Sequence, residues 1–114
     1  MTRSLNFYLK AMKVVLKLTH RELSLWLAFI MASAPERYRK GAYVYRTVYF
    51  AMKRLAVMLR GKVVEQRDKY RISIHNELGA AFIAHCDNTG DIDVEDDAMV
   101  TINKIIGIID QQLN

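Results

Sequence analysis

Residues 45–84, YRTVYFAMKRLAVMLRGKVVEQRDKYRISIHNELGAAFIA, decide how this chain is read. The first sixteen predict a basic helix that ends at Gly61. Val44, Val48, Ala51, Leu55 and Leu59 recur on one side at the 3.6-residue spacing of a core-packed helix. The opposite side holds Arg46, Tyr49, Phe50, Lys53 and Arg60, cations interleaved with aromatics. A helix lying against a phosphate backbone exposes that mixture. After Gly61, KVVEQRDKYRISI alternates polar and apolar residues on both sides of Arg67-Asp68-Lys69, which predicts two short strands joined by a charged turn. A further helix opens near Asn76.

Working outward, Ser4 can cap a helix with Leu5, Tyr8, Leu9, Met12 and Leu16 on one side and Arg3, Lys10, Lys13 and Lys17 on the other. Thr19-His20-Arg21-Glu22 has the form of a capping box, so a new helix starts there and runs through Trp26, Leu27, Phe29 and Ile30 to about Ala34. It is apolar on nearly all sides and must be central or at an interface, with Trp26 in the core. Downstream, DNTGDIDVEDD reads as a loop and a helix start capped by Asp93. No register of its acids supplies the glycine and glutamate of a calcium loop. The last helix, about Asp96 to Leu113, aligns Ala98, Ile102, Ile105, Ile109 and Leu113 in one stripe, although its isoleucines leave a strand open as an alternative for part of it.

RLAVMLRGKVVEQRDKYRISIHNELGAAFI resembles the recognition-helix end, wing and following helix of small winged-helix regulators of the MarR kind. The shared elements are the helix exit at Leu59 to Val63, the basic hairpin tip, and the helix opening Glu77-Leu78-Gly79. The trimmed winged helices of plasmid-partition proteins and some replication initiators are similar. Only seven residues, Pro35 to Gly41, remain for the helix that precedes a recognition helix. The resemblance implies a mainly α fold with a small β-hairpin: a single winged helix-turn-helix domain over 1–114, with dimerisation helices at both ends. Residues 1–18 would form the N-terminal helix, 19–86 the winged-helix core, and 87–114 the acidic loop and C-terminal helix.

Composition suits one compact domain of 114 residues, 52% hydrophobic and 25% charged, with one proline and no low-complexity segment. The net charge of +5 conceals a division: residues 1–71 carry net +12 and residues 72–114 net −7. A basic block that contains the expected recognition helix and wing is the footprint of nucleic-acid binding. The single cysteine, Cys86, excludes an intrachain disulfide; together with the lack of an export signal or an apolar run long enough for a membrane, it points to the cytoplasm.

The expected function is therefore sequence-specific binding of double-stranded DNA by a homodimeric regulator or repressor, or by a partition or replication protein. Arg46, Thr47, Tyr49, Phe50, Lys53 and Arg54 would meet the major groove. Arg67, Lys69 and Arg71 on the wing would meet phosphate or the minor groove, and Arg37, Arg39 and Lys40 would hold the backbone. The dimer would form through Leu5, Tyr8, Leu9, Met12, Ile102, Ile105, Ile109 and Leu113, unless both terminal helices fold back over their own core. The alternative is an interaction module whose basic face docks an acidic protein. Stacking of Tyr43, Tyr45, Tyr49 and Phe50 on single strands is a third reading. The chain shows no phosphate loop, HExxH or nucleophile elbow, so neither catalysis nor a cofactor is expected. His75, His85 and Cys86 are the only residues that suggest a metal or redox site.

Overall fold

The computed structural model describes residues 12–33, 43–88 and 96–114. A strand, β1 (Lys13–Thr19), runs directly into helix α1 (His20–Ser33). The long basic helix α2 (Tyr43–Val63) leads to strand β2 (Lys69–His75), which runs into α3 (Asn76–Asn88). Helix α4 (Asp96–Leu113) closes the chain. The fold is mainly α, four helices with a two-stranded antiparallel sheet among the described residues, but its order is not that of a winged helix.

Two expectations are corrected here. Residues 13–19 are not the end of an N-terminal helix but a strand, because KVVLKLT alternates with period two and buries Val14, Leu16 and Leu18 on one side. Residues 62–66 are not the first strand of a hairpin wing. Gly61 does not stop α2, which continues to Val63, and the partner of β2 is β1, from Lys13 opposite His75 to Thr19 opposite Lys69. Gln66, in the connection that follows this helix, takes the left-handed conformation at φ 52°.

The sheet is one-sided. Val14, Leu16, Leu18, Tyr70, Ile72 and Ile74 are buried, and α1, α3 and α4 pack over the strands on that side. Helix α2 packs instead on α1 and α3. Trp26 and Phe82 sit at the centre, fully buried, their rings edge to face at 5.5 Å, with Phe29 6.2 Å from Phe82. Ile102, Ile105 and Ile109 are also fully buried, so the α4 stripe covers the chain's own core. These three cannot face a second copy as the dimer expectation required. Met12 is exposed and Leu113 half-buried, whereas Leu5, Tyr8 and Leu9 lie outside the described residues.

The capping box forms as its sequence predicts. The Thr19 N–H donates to Glu22 Oε1 at 3.0 Å, and the Glu22 N–H donates to Thr19 Oγ1 at 3.2 Å. Lys104 of α4 also reaches Glu22, and its hydrogen bond is the main influence holding this carboxyl below its ordinary value of 4.5. A carboxyl with a depressed folded value contributes stability above its unfolded value and loses it as pH falls through the folded one. Thr19→Ala is expected to cost about 1 kcal/mol at pH 7 in urea unfolding. The deficit of Glu22→Gln should shrink as the pH is taken below 4.5; an unchanged deficit at acid pH would remove charge from the explanation.

Candidate nucleic-acid interface

At 21 residues α2 is about 31 Å long, and its local sequence explains its two sides. Met52, Leu55 and Leu59 are fully buried and Val48, Ala51, Ala56, Met58 and Val63 pack around them. Tyr49 joins this buried side at 3% exposed, so the helix is turned from the orientation read in the sequence. Its phenol ring lies under the Lys53 ammonium, 5.3 Å from the ring centroid, and edge to face with Phe50. Tyr49 is therefore corrected from a groove contact to a support for Lys53.

The outward side of α2 presents Arg46, Thr47, Phe50, Lys53, Arg54, Val57 and Arg60, all exposed. Phe50 and Val57 are 52% and 69% exposed, large apolar groups set among cations. None of Arg46, Lys53, Arg54 or Arg60 has a carboxylate partner among the described residues. Arg60 instead reaches the Met31 sulfur at 3.7 Å. Ile30, Met31, Met52, Ala56 and Val57, with Lys53 and Arg60, line an open groove of about 300 Å³ between the end of α1 and α2.

Arg67, Lys69 and Arg71 do not form a hairpin tip. Arg67 sits in the connection from α2 to β2, where it pairs with Glu65 at 3.3 Å and its N–H donates to the Tyr70 hydroxyl at 2.8 Å. That hydroxyl also bonds His20 Nδ1 at 2.9 Å, tying the connection to the start of α1. Lys69 and Arg71 lie on the exposed side of β2. The register brings Lys17 opposite Arg71 and Lys13 opposite His75 on the same outward face. Sequence reasoning missed Lys13 and Lys17 by placing them on a helix; the period-two alternation of residues 13–19 was the signal that could have found them. Arg37, Arg39 and Lys40 lie outside the described residues.

Of the three residues weighed as a sensor, His75 is kept apart from the neighbours His85 and Cys86 of α3. His75 is on the outward face of the sheet, whereas His85 is 2% exposed and its Nε2 lies 2.8 Å from Ser33 Oγ. The Ser33 hydroxyl donates to the Phe29 carbonyl, which leaves His85 Nε2–H as the donor to Ser33. Burial lowers the value of His85 and raises the Cys86 thiol to about 12, with Asp87 adding to the latter. Both influences favour the protonated thiol over the thiolate. No group of three metal-ligating side chains occurs among the described residues, and no described helix is long and apolar enough to cross a membrane.

The chain matches no family model, no curated protein and no solved structure.

Proposed function

We propose that this chain binds double-stranded DNA through the outward side of α2, acting as a regulator or organiser of DNA with no chemistry of its own. The observation that carries the reading is the row Arg46, Lys53, Arg54 and Arg60: four cations on one exposed side of a long helix, without a carboxylate partner among the described residues. A major groove about 12 Å wide admits such a helix. Guanidinium and ammonium groups would then meet phosphates, and the exposed Phe50 and Thr47 would lie toward base edges and methyl groups. This does not require the hairpin wing, nor a dimer built on the α4 isoleucines.

The test is a fluorescence anisotropy titration of labelled random-sequence duplex at ~50 mM and ~200 mM salt, on protein of known mass in solution. Four phosphate contacts give a log–log salt slope of about −3.6, a fall in affinity of roughly 150-fold between those concentrations. Lys53→Glu with Arg54→Glu is expected to abolish most of the binding. A flat salt response would sink the proposal, and a single-strand competitor stronger than duplex would replace it by stacking.

A second reading has its own observation. The groove between α1 and α2, apolar along Ile30, Met52 and Ala56 and flanked by Lys53 and Arg60, would take an acidic amphipathic helix. Under that reading duplex would not bind at ~50 mM salt, and a synthetic acidic amphipathic peptide would.

A further inference from the structure

Gln112 of α4 reveals which backbone groups of β1 face away from its partner: its Oε1 accepts from the Val15 N–H at 2.9 Å, and its Nε2 donates to the Val15 carbonyl at 2.7 Å. Positions 13, 15, 17 and 19 are therefore the non-hydrogen-bonded positions of the ladder, where opposed side chains come closest. At the same time, Asn76 N–H to Met12 O and His20 N–H to Asp68 O continue the bonded positions at either end. Lys17 and Arg71 thus face each other directly in the closest kind of pair, with Lys69 on the diagonal and Lys13 further along the same face. Like charges so placed destabilise a sheet. None of the four has an ion-pair partner among the described residues, and the face holds no acid.

We propose that this outward face of the sheet is a second phosphate-binding surface, distinct from α2, so that one chain joins two segments of duplex DNA. It rests on the reading of α2 as a DNA contact. Charge complementarity selects the partner: a polyanion relieves the Lys17–Arg71 repulsion, and the Ser73 hydroxyl on the same face is an added phosphate donor. An extended strand advances about 3.4 Å per residue, close to the ~3.4 Å axial advance per nucleotide of one DNA strand. Alternate positions such as Lys69 and Arg71 are thus about 6.8 Å apart along the strand. Both α2 and the sheet pack on α1 and α3. The strands turn their apolar side toward those helices, α2 turns Tyr49, Met52, Leu55 and Leu59 toward them, and each cationic side points away.

The experiment immobilises one random-sequence duplex, adds protein, and measures capture of a second labelled duplex at ~50 mM salt, beside anisotropy on a single duplex. Native protein is expected to capture. Lys17→Glu with Lys69→Glu should lose capture at least tenfold while retaining salt-dependent binding of one duplex through α2. Placing a carboxylate opposite Arg71 relieves the repulsion, so the unfolding midpoint of that variant should match or exceed the native one. Lys53→Glu with Arg54→Glu should lose capture as well. Undiminished capture by the sheet variant would overturn the inference and leave α2 as the DNA contact, as would native protein that binds one duplex and captures none. Failure of native protein to bind any duplex overturns both readings.

Discussion

Phe82→Ala is expected to lower the stability of this protein by about 3–5 kcal/mol, the range for deleting a fully buried aromatic ring. Phe82 is 0% exposed and joins Trp26 of α1, at 5.5 Å, with Phe29 one turn on, at 6.2 Å. Its loss opens a void between α1 and α3, which the Ser33–His85 hydrogen bond also joins. For a chain of this size it should lower the melting midpoint by roughly 12–20 °C. Urea denaturation should show a lower midpoint with an unchanged slope. A loss under about 1.5 kcal/mol would mean that the helices close over the gap, and that the aromatic cluster does not hold α1 to α3. Trp26→Phe is the informative contrast. Trp26 Nε1 is buried with no hydrogen-bond partner among the described residues, so removing the indole removes an unmet donor together with some volume. Its cost should be well below that of Phe82→Ala.

The second large effect is a contrast in sign among three helical glycines. A Cβ on Gly79 would lie 3.0 Å from Ile109 Cγ2, 3.6 Å from Val14 Cγ2 and 3.8 Å from Ile74 Cδ1. α3 therefore approaches α4 and the sheet closely at this point. Gly79→Val adds further methyl groups against those neighbours and should destabilise by about 1–3 kcal/mol. Gly61 and Gly107 meet nothing within 4 Å and are exposed, so Gly61→Ala and Gly107→Ala should each stabilise by about 0.5–1 kcal/mol through helix propensity. Thermal midpoints of the three variants decide it. A stabilising Gly79→Val would show that α4 does not seat on α3 as described.

The same residues show where a linear reading of the site fails. Leu55 and Leu59 were legible as core from their spacing, and both are fully buried. Tyr49 was not, because an aromatic beside cations reads equally well as a stacking platform or as an inward ring. Only the packing of α2 on α1 and α3 turns it inward. Phe50, one residue on, stays out at 52% exposed. Lys69 and Arg71 were legible as an outward cationic pair by alternation, but their closest companion, Lys17, is 54 positions from Arg71 and belongs to a strand whose short apolar run also fits a helix.

What the sequence determined by itself is local. The Thr19–Glu22 box starts α1, alternation from Lys69 to His75 makes β2, the opening near Asn76 starts α3, and the 3.6-residue stripe from Asp96 makes α4. Each depends on hydrogen bonds and periodicity within a few residues. The tertiary structure alone decided that β2 pairs with β1 rather than with residues 62–66, that α2 passes through Gly61, and that the α4 isoleucines cover their own core. The physical reason is that strand pairing and helix seating are settled by which apolar faces can be buried together. β1 offers Val14, Leu16 and Leu18 to α1, α3 and α4, and α4 closes over them with Gln112 on the strand's free edge. That choice sets the Lys17–Arg71 pair on the outside.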